Sequence, residues 1–148
     1  MENERKVDVL LVEDNLDDTE LTIYSLINAN DNLKTRHFSN GEDALHYILE
    51  EKTFLGQSTI DSLKLIILDL EFPDKLNGLE IIRRIKSDEK SRCIPIVVFS
   101  SSSSQRDIHR AYELGANSYV IKPKGFEGYL KKIGSLADYW SRVNERIF

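Results

Sequence analysis

Five residues able to do chemistry stand where apolar, strand-like runs stop. Glu13 and Asp14 follow the run from Val7 to Val12, Asp69 closes the run that begins at Lys64, Ser100 follows Ile94 to Phe99, and Lys122 follows Ser118 to Ile121. In an open parallel sheet, ligands bind in the crevice beyond the carboxyl ends of the strands, so three carboxylates, a hydroxyl and an ammonium are expected on one rim. Neighbouring strands lie about 4.8 Å apart, so carboxylates ending adjacent strands repel unless a cation sits between them. Hard oxygen donors with room for water and phosphate oxygens suit Mg²⁺. Lys122 adds a point charge able to keep Asp69 ionised or to grip a phosphoryl oxygen, and Ser100 adds a donor. Phosphoryl transfer needs positioning and charge neutralisation, which this set can supply, with Asp69 as nucleophile.

The elements that must position these groups follow from periodicity. Val7 to Val12, Lys64 to Leu70 and Ile94 to Phe99 are continuous apolar runs of the kind buried on both faces of a sheet. Leu33 to Phe38 is more polar, as suits an edge strand. Helical spacing relates Leu16, Ile23, Tyr24 and Ile27, with Asn15 or Asp17 as cap. It also relates Ala44, Leu45, Ile48 and Leu49, then Leu79, Ile82 and Ile85, then Ile108, Ala111 and Tyr112 before a stop at Gly115. Ser104 and Asp107 have capping-box spacing. Glu51 to Leu63 lacks periodicity and is expected to be a lengthened surface connection. Five strands each followed by a helix predict an α/β fold, a doubly wound parallel sheet with helices on both faces.

Composition narrows the function. The 148 residues are 41% apolar and 30% charged, the range of one ordinary globular domain. No apolar run approaches the roughly 20 residues that cross a bilayer, and the charged N-terminus lacks a signal-peptide pattern, so a cytoplasmic location with no membrane partner is expected. The single cysteine, Cys93, excludes an intrachain disulfide and zinc-type cysteine pairs. A net charge of −5 without a basic block argues against nucleic acid, leaving protein partners. His37, His46 and His109 show no metal spacing or triad partner, so ordinary surface or helix roles are expected of them.

Four motifs in order then carry a resemblance over essentially the whole chain. They are LLVEDN at 10–15, LIILDL at 65–70 with Pro73 and Gly78 after it, PIVVFS at 95–100, and GANSYVIKP at 115–123. The sequence resembles a response-regulator receiver domain of two-component systems, of the chemotaxis-regulator type. YELGAN, the long connection and the aromatic final helix are similar to the phytochrome-associated small regulators. The resemblance implies a flavodoxin-like sheet of order 2-1-3-4-5 and a single receiver domain over 1–148. It implies Mg²⁺ held by Glu13, Asp14, Asp69 and the backbone carbonyl of Glu71, and Asp69 phosphorylated by a sensor histidine kinase or a histidine phosphotransfer protein. Ser100 and Tyr119 fall on the switch positions, Lys122 on the phosphate-gripping lysine, and a cis peptide is implied between Lys122 and Pro123. The loop from Asp69 to Gly78 is about one residue longer than the family norm, and Glu71 adds an acid beside the phosphorylation site.

On this reading the chain is a stand-alone regulatory phosphoacceptor rather than an enzyme, and its output is contact with a downstream protein. Two rivals are an aspartyl-nucleophile phosphatase, for which no cap domain is seen, and a pseudo-receiver, whose expected loss of Asp69, Lys122 or an acid-pair member is absent. Phe126, Tyr129, Ile133, Leu136, Trp140, Val143 and Ile147 are spaced by three and four, which predicts one long helix over 126–148. The end of that stripe exceeds what a five-stranded core needs, so a homodimer contact through it is expected.

Overall fold

The computed structural model describes residues 6–50, 53–54, 57–58, 60–72 and 76–147. Five parallel strands, β1 (Val9–Val12), β2 (Thr35–Phe38), β3 (Leu65–Leu68), β4 (Ile96–Ser100) and β5 (Ser118–Ile121), form one sheet in the order 2-1-3-4-5. Five helices connect or follow them: α1 (Leu16–Ala29), α2 (Gly41–Leu49), α3 (Gly78–Ser87), α4 (Gln105–Glu113) and α5 (Phe126–Asp138). Among the described residues, no helix is long and apolar enough to cross a membrane.

Strand alternation divides the core in two. Leu10, Val12, Ile66, Leu68, Ile96 and Val98 face α2, α3 and α4, whereas Val9, Leu11, Leu65, Ile67, Val97 and Phe99 face α1 and α5. The three central strands are buried along their whole length, which explains their unbroken apolar runs; β2 and β5 are the edges. Asn15, Asn40, Asn77 and Ser104 each accept a hydrogen bond from the amide three residues on, capping α1 to α4.

Three expectations are corrected. In α1 the face turned inward carries Thr19, Thr22, Ser25 and Leu26, while Leu16, Tyr24 and Ile27 are exposed. α1 packs chiefly against α5, and small inward side chains suit that contact. The connection before β3 is less loose than expected: Thr53–Phe54 pairs antiparallel with Gln57–Ser58, and Ile60 and Leu63 are core residues. The final helix does not reach residue 148. It passes from α5 into a π-helical turn, Tyr139–Val143, and Asn144 is extended. The wider turn shifts the heptad register, so Val143 and Ile147 are exposed, and Arg146 draws the tail beneath the sheet by donating to the carbonyls of Ser62 and Leu63. Phe148 lies outside the described residues.

Candidate functional site

The rim residues are fixed by the last rungs of the sheet. The amide of Glu13 donates to Phe38 O (3.0 Å), that of Asp69 to Val12 O (3.1 Å), and that of Lys122 to Ser100 O (2.8 Å). Each backbone is thus held one residue past its strand, and the side chains converge above the sheet. Gly78 allows α3 to start against this point: a Cβ there would lie 2.5 Å from Asp69 O and 2.5 Å from the Leu70 Cα. Gly78 is therefore required by close approach of backbone to backbone. Pro73, the other motif residue of that loop, lies outside the described residues.

The resulting pocket is open, about 820 Å³, and lined by Asp14, Asp18, Asp69, Glu71, Phe72, Ser101 and Lys122 among others. Glu13 and Ser100 are buried. Oxygens of Glu13, Asp14 and Asp69 all fall within 4.8 Å of one another. This all-oxygen set, with a half-buried Asp14 open to the pocket, fits a hard divalent cation. One Asp69 oxygen accepts from the Leu70 amide at 2.7 Å and more distantly from that of Glu71; the other accepts from Lys122.

Lys122 is the hub. Its ammonium donates to Glu13 (2.6 Å), Asp18 (2.8 Å) and Asp69 (3.1 Å). Burial works against its charge, yet hydrogen bonds to Asp18 and Glu13 and the Asp69 charge hold it protonated above the usual lysine range. Burial also pushes the Glu13 carboxyl up to about 7, and the Lys122 ammonium offsets only part of this. The two shifts are compatible, because one ammonium cannot neutralise three carboxylates and the most deeply buried acid is the one that favours a proton. The Lys122–Pro123 peptide is trans, since the described residues contain no cis peptide bond. The trans bond is the default even before proline, and from it the ammonium already reaches all three acids.

Ser100 Oγ accepts from the Ser102 amide (3.2 Å), and the Tyr119 hydroxyl donates to Ser102 O (2.8 Å), so both switch candidates meet at the loop leaving β4. Tyr119 packs part of its ring on the core beside α4, and burial raises its hydroxyl pKa. Two residues were not read as site members from sequence. Asp18 reaches Lys122 from the first turn of α1, which only the position three residues past the Asn15 cap hints at. His37 Nε2 donates to Glu13 O at 2.6 Å and lies 3.4 Å from Thr19 Oγ1, tying edge strand β2 to the acid pair; no local spacing signals that contact.

Comparison with known proteins agrees with this geometry. Residues 9–133 match the response regulator receiver domain family. The probable methanogenesis regulatory protein FilR2 of Methanothrix harundinacea is 34% identical over 89% of this chain and 82% of its own length. The phosphorylated cyanobacterial phytochrome response regulator RcpA superposes with a TM-score of 0.84 at 28% identity, over 96% of this chain and 99% of that one. The Mn²⁺-bound form of response regulator Rcp1 superposes with a TM-score of 0.81 at 25% identity, over 96% and 99%. The similarity to phytochrome regulators supports the subfamily suggested by YELGAN and the aromatic C-terminal helix. The chain belongs to the response regulator receiver domain family of two-component signalling.

Proposed function

We propose that the chain accepts a phosphoryl group on Asp69 from a phosphohistidine of a sensor kinase or phosphotransfer protein and signals by changing a protein contact. The observation that carries this is the meeting of Glu13, Asp14 and Asp69 with a single buried lysine at the end of β3. An Asp69 oxygen attacks phosphorus, the phosphorus–nitrogen bond breaks, and the histidine leaves. Glu13, Asp14, Asp69 and the Glu71 backbone carbonyl would hold Mg²⁺, which supplies charge neutralisation for the phosphoryl oxygens. The Leu70 amide orients the acceptor, Lys122 offers N–H donors to the phosphoryl group, and Ser100 offers a hydroxyl from β4. Tyr119, tethered to Ser102 O, would repack as the loop after β4 moves and so change the face of α4, β5 and α5. The phosphorylated state of RcpA and the bound Mn²⁺ of Rcp1 support this reading by similarity.

Intact mass after incubation with Mg²⁺ and acetyl phosphate tests it. A phosphoryl adduct that requires Mg²⁺ and disappears in Asp69→Ala is expected. No adduct in the wild type would turn the reading to a pseudo-receiver. Self-association belongs to the same proposal: Phe126, Tyr139, Val143 and Ile147 leave an apolar surface on and after α5, with Tyr24 of α1 in ring contact with Phe126 at 5.5 Å. A second copy covers it on this reading, and a monomer by light scattering with and without phosphorylation would remove that part.

A further inference from the structure

Asp18 has a place in the site that the receiver reading does not use. A lysine ammonium has three N–H donors, and here all three are occupied, one each by Glu13, Asp18 and Asp69. Glu13 and Asp69 belong to the oxygen cluster able to hold a cation, and Asp69 also receives the phosphoryl group; Asp18 is not in that cluster. Its second carboxylate oxygen is taken from the opposite side by the Tyr129 hydroxyl at 3.0 Å. Tyr129 is itself buried in the α5 face of the core, where its ring meets Phe99 edge-on at 5.4 Å and 90°. Asp18 is thus gripped at both oxygens, one by the site and one by a rigid core ring.

We propose that Asp18 is a positioning residue for Lys122, anchored through Tyr129 to α5, which keeps hold of the ammonium while Glu13 and Asp69 turn to the metal and the phosphoryl group. The inference rests on the proposed phosphoacceptor role of Asp69. A lysine head sits on a flexible four-carbon stem and has no preferred direction of its own, so a fixed partner decides where its free donors point. The simpler account, that an acid in the first turn of α1 answers the positive helix end, applies equally to Asp17. Only Asp18 carries the lysine on one oxygen and a buried tyrosine on the other.

The test uses the full chain with Asp18→Asn, Tyr129→Phe and the double variant. Asn keeps the shape and removes the charge; Phe keeps the ring and removes the donor. With Mg²⁺ and saturating acetyl phosphate, Asp18→Asn is expected to lower the phosphorylation rate constant about tenfold and Tyr129→Phe about threefold, without raising the half-saturating donor concentration. Removing a negative charge would by itself favour an anionic donor, so a slower step has the opposite sign from a field effect. The double variant should be no slower than Asp18→Asn, as expected of two residues acting in one chain of contacts. In metal-free protein, the ammonium ¹H–¹⁵N signal of Lys122, assigned by its loss in Lys122→Met, should disappear in Asp18→Asn. A wild type that takes no phosphoryl group overturns the underlying reading and this one with it. A phosphorylated wild type with Asp18→Asn equally fast, an unchanged ammonium signal, or multiplicative losses in the double variant each overturn the inference alone.

Discussion

The two ends of β1 handle buried carboxylates in contrasting ways. Below its start, Asp8 is 6% exposed and balanced: it accepts from the Lys34 amide at 2.9 Å and pairs with Lys64 at 3.5 Å, while its own backbone bonds residues 34 and 64. Past its other end, Glu13 shares one ammonium with Asp18 and Asp69, and Asp14 stands close by. One acid against one base is a structural joint; four acids against one base is a site short of positive charge. Carboxylates at opposite ends of one strand are thus matched by charge at one end and outnumber it at the other.

The largest effect should come from removing the one base. Lys122→Ala leaves three carboxylates without their shared cation and is expected to cost about 3 kcal/mol in urea unfolding without metal, with Mg²⁺ restoring more stability than it adds to the wild type. No larger Mg²⁺ stabilisation in the variant would contradict the charge-deficit picture. Asp8→Ala should cost about 2 kcal/mol by stranding the Lys34 amide and Lys64, yet leave Mg²⁺ affinity unchanged by calorimetry. A change in affinity would erase the contrast between the two ends.

A comparable effect is expected from pH. The folded Glu13 carboxyl sits at about 7 against an ordinary 4.5, so its contribution is fully present below pH 4.5 and is lost as pH rises through about 7. In metal-free buffer, Glu13→Gln should therefore gain on the wild type by about 3 kcal/mol between those values and hold level above them. A constant difference across the range would show that Glu13 does not carry the strain. Least of all, His37→Ala should leave the fold intact and weaken Mg²⁺ several-fold, since His37 holds the backbone of the acid pair rather than the ion. Unchanged affinity would make His37 an ordinary edge residue.

Much of this site was legible because strand ends can be read locally. Apolar runs stop where Glu13, Asp69 and Lys122 begin, and parallel topology then forces those residues to one rim. The capping of α4 by Ser104 was legible for the same reason: its signal spans three residues. What failed depends on distant partners. Nothing near Leu16 or Tyr24 says that α1 will turn Thr19, Thr22 and Ser25 inward, because α5 decides that from more than 100 residues away. Asp18 was not singled out at all, because its partners Lys122 and Tyr129 lie more than 100 residues further along the chain. Just past the helix end at Val143, Arg146 likewise finds carbonyls at Ser62 and Leu63, 84 and 83 residues back along the chain.

The sheet order has a consequence for which part of the site can move. Glu13 and Asp69 extend β1 and β3, which are buried throughout and flanked by strands on both sides, so their amides should exchange with solvent only when the whole domain opens. Lys122 extends β5, an edge strand whose last residue, Ile121, is exposed. The backbone under Lys122 should therefore open and exchange before that under the acids, while Asp18 holds the ammonium from α1. The cation and the acids of this site thus stand on backbone of unequal protection.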